Sequence, residues 1–147
     1  MNEDFKECIK TRKIIAFPRA KSFVKKELSA AKDDLIEAMD RLENGKYKYA
    51  TINSYYSTFH AASALLFSKG YRERSHYCLA VALEALFVET GMMSDRYIRI
   101  FKNNMFLREN ADYSSSFSEE NALTSISNAQ EFLNMAKTLL DIKADSI

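Results

Sequence analysis

The chain has 147 residues, 47% hydrophobic and 28% charged, the balance of a globular protein long enough to bury about two-thirds of the surface its unfolded form exposes. A formal net charge of +1 excludes a bulk electrostatic attraction for nucleic acid, so any basic surface has to be local. Three glycines and one proline are too few for the many turns of an all-β fold and predict an all-α protein built from long helices.

Cys8 and Cys78 are too few for a disulfide framework and are expected to be free thiols in a reducing cytoplasm. The opening MNEDFKECIK mixes acids and bases without the apolar core of a signal peptide. No apolar run approaches the roughly 18–20 residues of a membrane span, so a cytoplasmic protein without membrane contact is expected.

Residues 1–18 are short of pattern and are taken as an N-terminal arm that packs on the bundle or on a partner. Phe5, Cys8 and Ile15 are compatible with a helical turn, and Pro18 interrupts any longer helix. Lys10, Arg12, Lys13, Arg19, Lys21, Lys25 and Lys26 form the basic stretch of the chain, either a solvated face or a phosphate-binding arm.

Residues 19–147 are expected to form one helical bundle. The first helix runs from about Arg19 to Leu42, with Leu28, Ala31, Leu35, Ala38, Met39 and Leu42 on one stripe, and Asn44-Gly45 stops it. The next, from about Lys46 to Ser68, has Tyr49, Ile52, Tyr56, Phe59, Ser63, Leu66 and Phe67 as its main stripe. Tyr55, Ala61, Ala62, Ala64 and Leu65 widen it until it is apolar nearly all round, which places it in the middle of the bundle. His60 within it is expected to be a buried, hydrogen-bonded histidine. Gly70 closes this helix, and Ser75 caps a second very apolar one over His76–Thr90. Ser94-Asp95 starts a locally basic helix that runs into LRENADY, and Ser118 with Glu119 and Glu120 opens the last. The connections are short, so neighbouring helices should be antiparallel.

Chemistry-bearing motifs are sparse. The glycines lie far apart and form no phosphate loop. His60, His76 and Cys78 lack zinc-ligand spacing, so neither a metal nor a cofactor is expected. Arg72, Arg74 and His76 meet at a helix corner that is either a phosphate-holding group or a solvated turn capped by His76. Arg108, Glu109, Asn110, Asp112 and Tyr113 close the helix that Ser94-Asp95 starts, where the spacing of four lets Arg108 pair with Asp112.

The stretches YKYATINSYYSTFHAASALLFSKG, SHYCLAVALEALFVETG and LRENADYSSSFSEENALTSISNAQEFL give the region from about Arg19 to Leu140 a resemblance to the prokaryotic HEPN domain family, of the nucleotidyltransferase-associated type. The resemblance implies an up-and-down bundle of four to five helices, a homodimer, and a two-gene, toxin–antitoxin-like module with a small nucleotidyltransferase. Many members are metal-independent ribonucleases whose motif is an arginine followed, four to six residues on, by a histidine. Here Arg108 matches the arginine, but Tyr113 stands where the histidine is expected, and a phenol with an ordinary pKa of about 10 is a poor base at neutral pH. The sequence therefore leads to a nucleotide- or RNA-interacting protein that is not an efficient nuclease, with Arg108, Asp112, Tyr113, Arg72, Arg74 and His76 as candidate phosphate-binding residues. A ribonuclease toxin using Arg108 and Tyr113, and a purely structural dimerisation module, are the alternatives. The resemblance also makes Tyr113 a candidate acceptor for a transferred nucleotide.

Overall fold

Helix α3 (Tyr47–Ser68) runs through the centre of the computed structural model, which describes residues 2–141. Helices α2 (Val24–Glu43), α5 (Arg96–Tyr113) and α6 (Glu119–Leu139) pack along it, and the start of α4 (His76–Leu83) meets its middle at Tyr55 and Phe59. The fold is the expected all-α bundle. Its helix boundaries follow the local signals: Gly45, Gly70 and Gly91 adopt positive φ after the helices they end, and the Ser75 and Ser118 hydroxyls accept from the backbone N–H groups of Cys78 and Asn121. The helix that follows Ser75 is α-helical to Leu83 and continues as a π-helical turn over Glu84–Val88.

The buried face of α3 differs from the expected one. Ala50, Thr51, Ser54, Ser57, Thr58, Ala61 and Ala62 are buried, whereas Tyr49 is 52% exposed and Ile52, Tyr56 and Phe59 are only partly covered. Small side chains let α2 and α6 approach closely, which displaces the large aromatics to the flank. The buried hydroxyls are satisfied locally: Ser54 and Thr58 donate to the carbonyls of Ala50 and Ser54, and Ser57 donates across to Ala31 on α2 at 2.7 Å. A polar knot joins three helices, because buried Asn104 donates to Thr58 and to the Ser125 carbonyl and accepts from Asn128.

The N-terminal arm is more ordered than its sequence pattern suggested. Asn2 caps α1 (Glu3–Lys10), whose Phe5 and Cys8 are buried. Strand β1 (Ile14–Ala16) then pairs antiparallel with β2 (Tyr71–Glu73), in register Ile14↔Glu73, Ile15↔Arg72 and Ala16↔Tyr71. Phe5 meets Tyr71 edge-on, and a 3-10 turn over Ala20–Phe23 leads into α2.

One expectation is overturned. Cys8 and Cys78 are not free thiols; they form a disulfide between α1 and α4, with their Cα atoms 5.8 Å apart. Two cysteines 70 residues apart carry no spacing signal, and only the docking of the arm brings them face to face. Among the described residues no helix is long and apolar enough to cross a membrane.

The disulfide closes a long loop, for which the chain-entropy argument gives about 4 kcal/mol of stabilisation. Thiol titration of the unreduced protein is expected to find both cysteines blocked. Reduction, or Cys8→Ser, should lower the thermal midpoint, by ~10 °C if the full entropic term applies. Free thiols in the unreduced protein, or an unchanged midpoint on reduction, would contradict the assignment.

Candidate functional site

Along the inward register of α5, Phe101, Asn104, Arg108 and Ala111 succeed one another at helical spacing. Arg108 thus points toward the bundle, and its side chain is only 15% exposed. A buried cation is costly unless its hydrogens find partners. The guanidinium Nη2 donates to the Tyr56 hydroxyl at 2.9 Å and pairs with Asp112 at 3.3 Å, the i,i+4 pair the sequence predicted. Its Cζ lies 5.8, 5.4 and 5.3 Å from the ring centroids of Tyr55, Tyr56 and Tyr113, within the range where ring faces attract a cation. Burial works against the charge, but Tyr56, Tyr113 and Asp112 together outweigh it and hold Arg108 above its ordinary pKa. The Nε–H is buried and has no partner among the described residues.

Tyr113 closes α5 and is 74% exposed, while its ring lies over Arg108. Tyr55 is fully buried, and burial raises its pKa despite the opposing charge of Arg108, which keeps it a phenol. Its hydroxyl is hydrogen-bonded to Nδ1 of His76, the first residue of α4. The His76 ring lies nearly parallel to Phe59, with centroids 4.6 Å apart, and nearly parallel to Tyr55. Burial and then the Arg108 charge lower the pKa of His76, against a smaller opposing effect of Glu109. His76 and Arg108, 32 residues apart in the sequence, therefore belong to one assembly.

The expected corner of Arg72, Arg74 and His76 is divided by the fold. Arg72 lies on β2 with its guanidinium over the Phe17 ring, and Arg74 is exposed where β2 runs out. Among the described residues neither shares a hydrogen bond, ion pair or ring contact with the Arg108 assembly. Tyr55 and Tyr56 were legible in the sequence only as packing residues. The signal that could have marked the site is polar Asn104 and Arg108 standing at inward positions of α5, where an apolar stripe would be complete without them.

His60 is hydrogen-bonded, as expected of α3, but half-buried rather than buried. Its Nδ1 lies 2.7 Å from Glu27, and Nε2 lies 3.6 Å from Asp34, both on α2. The Glu27 hydrogen bond outweighs burial and raises the pKa of His60. Among the described residues no group of three or more His, Cys, Asp or Glu side chains is arranged to hold a metal ion.

The HEPN domain family model matches residues 24–140. The chain belongs to the HEPN domain family. A relative in Methanocaldococcus jannaschii, which carries the name "Putative toxin", is 32% identical over 114 residues, covering 77% of this chain and 85% of its own length. A UPF0332 protein of Pyrococcus horikoshii is 30% identical over 123 residues, 84% of this chain and 78% of its own. A UPF0332 protein of Thermotoga maritima is 32% identical over 114 residues, 76% and 86% of the two chains. The matched region holds α2 to α6 and the whole Arg108 assembly, while α1 and β1 precede it.

The two histidines of this HEPN chain should act on stability in opposite directions. The folded-state pKa of His60 lies above 6.5, so its contribution is complete below pH 6.5 and is lost as pH rises through the folded value. That of His76 lies below 6.5, so its contribution is present above pH 6.5 and is lost as pH falls through the folded value. Denaturant midpoints are expected to decline as the pH is raised above 6.5, and Glu27→Gln should flatten that decline. An equally steep decline in Glu27→Gln would contradict the assignment to His60.

Proposed function

We propose that this HEPN protein is a toxin-like component that holds a nucleotide or RNA phosphate at Arg108, in a two-gene module with a small nucleotidyltransferase. The observation that carries the reading is a cation held toward the bundle among three tyrosine rings, with an exposed tyrosine at its rim. A guanidinium suits a phosphate because its donors match two oxygens at once. Exposed aromatic faces suit unpaired bases, whose stacking contributes about 1–3 kcal/mol per base. Asp112 orients the guanidinium and limits how much negative charge the corner accepts. Arg72 and Arg74 offer peripheral positive charge for a longer RNA.

The name of the Methanocaldococcus jannaschii relative supports the toxin-like part of the reading. The partner enzyme and the homodimer are inferred from the family resemblance. Phe106, 58% exposed on α5, and Leu123 on α6 are apolar side chains that a second copy would cover. A second reading, a metal-independent ribonuclease, is favoured by one observation, the joining of His76 to the Arg108 assembly through Tyr55.

Fluorescence anisotropy with a short labelled single-stranded RNA tests the phosphate site. Arg108→Ala is expected to weaken binding at least ~10-fold, the loss of a charged hydrogen-bonded contact. Unchanged affinity would remove Arg108 from the site.

Exposed Tyr113 leads to a separate expectation. The neighbouring nucleotidyltransferase, supplied with ATP, should add nucleotide mass to this protein. Tyr113→Phe should abolish the addition while the helical circular dichroism is kept. Modification mapped to another tyrosine, or none with an active enzyme, would refute the acceptor role.

A further inference from the structure

We propose that the seam between the N-terminal arm and the bundle is a guanine-binding pocket, with phenyl rings to stack the base and Glu73 and Arg72 to read its edges. The pocket lies apart from Arg108 and does not depend on the phosphate reading of that residue.

Several elements converge on this seam. Phe17 follows β1, Phe23 ends the 3-10 turn, Glu27 lies on α2, Phe67 on α3, and Arg72 and Glu73 on β2. Together they line a cavity of about 360 Å³, within the ~300–1,000 Å³ usual for small-molecule sites. The Phe17 and Phe23 rings are nearly parallel with centroids 5.5 Å apart, and Phe67 meets them at 6.1 and 6.4 Å. All three rings are only partly buried, so they leave apolar surface on which a flat base can stack. The Phe17 N–H donates to the Gly70 carbonyl, which fixes that residue beside the end of α3. Phe17 and Phe23 precede the region that the HEPN model matches, so the pocket depends on the arm.

The polar groups select the base. Glu27 is hydrogen-bonded to His60. Glu73 accepts from the Ser63 hydroxyl through Oε1 at 3.3 Å, and its Oε2 has no hydrogen-bond partner among the described residues. Burial, aided by the Glu27 charge, raises the pKa of Glu73 against the Ser63 hydrogen bond and the Arg72 charge. A carboxylate so placed gains from an N–H donor brought by a ligand. Guanine alone among the RNA bases presents two adjacent donors, N1–H and the N2 amino group, on one edge. Adenine and cytosine put a ring-nitrogen lone pair beside their amino group, and uracil has its N3–H between two carbonyls. The Arg72 guanidinium, with Cζ 5.6 Å from the Phe17 centroid, suits the O6 and N7 acceptors on the other edge of guanine. A cationic ligand is disfavoured, because Arg72 and Lys26 already lie over Phe17 and Phe23. The exposed Lys21, Lys25 and Lys26 nearby in the chain favour the phosphate that a guanine nucleotide carries.

Isothermal titration calorimetry of the full chain with GMP, IMP and AMP tests the pocket. GMP is expected to bind at least ~10-fold more tightly than IMP, which lacks the N2 amino group, and than AMP. Arg72→Ala, at an exposed position, should weaken GMP at least ~10-fold with the thermal midpoint kept, and Glu73→Gln should narrow the gap between GMP and IMP. A labelled oligouridine carrying one G, compared with the same strand carrying one A, separates two sources of the base. Preference for the G strand with weak GMP binding assigns the pocket to a guanine in single-stranded RNA; full affinity for GMP alone assigns it to the free nucleotide. Equal binding of GMP and AMP together with equal binding of the two strands overturns the proposal, as does no binding of any guanine probe. GMP binding lost in Arg108→Ala but kept in Arg72→Ala moves the nucleotide to Arg108 and overturns it. Spermidine binding without guanine binding makes the seam a cation site and also overturns it.

Discussion

Helix α3 has to lie against α2, α5 and α6 along its length, and one helix cannot present bulky side chains in every direction at that spacing. The chain resolves this with Ala50, Ser54, Ser57, Thr58, Ala61 and Ala62 on the crowded face. Their hydroxyls bond to nearby carbonyls, so close approach leaves few buried groups unsatisfied. The large aromatics Tyr55, Tyr56 and Phe59 gather toward α4 and α5, where there is room for rings. The aromatic wall that receives Arg108 and His76 is thus a consequence of how tightly α3 is packed elsewhere.

Electrostatics then decides what that wall can hold. A guanidinium disperses its charge over a plane and loses less hydration than an ammonium, so three ring faces, one hydroxyl and one carboxylate suffice to keep Arg108 inward. A lysine at this position would meet the same rings with a compact, strongly hydrated charge. The Arg108 charge in turn acts on its neighbours, opposing the rise in the pKa of Tyr55 and adding to the fall in that of His76. His60, on the same helix as Tyr55 but facing Glu27 and Asp34, experiences the opposite field. Two imidazoles on either side of Phe59 are therefore biased toward different protonation states, one as a charged tie between α2 and α3 and one as a neutral ring beside a cation.

The arm adds a second constraint to the same region. The disulfide joins α1 to the first turn of α4, two residues beyond His76, and the pairing of β1 with β2 fixes the strand that leads into that turn. The pose of His76 is set from three sides: by the Ser75 cap, by the Cys78 link and by the Tyr55 and Phe59 rings.

The sequence by itself determined the helical class, the centrality of the helix with Tyr55, the ends at Gly45 and Gly70, the caps at Ser75 and Ser118, and the Arg108–Asp112 pair. These depend on neighbours within a few residues, through backbone conformation, capping hydrogen bonds and the 3.6-residue period. It also carried the motif stretches that match the HEPN family. The tertiary structure alone decided that Cys8 meets Cys78, that Ile14–Ala16 forms a strand, that Arg72 turns to Phe17, and that His76 joins Arg108 through Tyr55. Each of these joins residues from separate elements, and no local pattern records which faces of two helices will meet. The rotation of α3 makes the same point: the stripe led by Tyr49, Ile52 and Tyr56 was the expected inward face, and only the fit of α2 and α6 against the small residues turned Ala50, Ser54 and Ser57 inward instead.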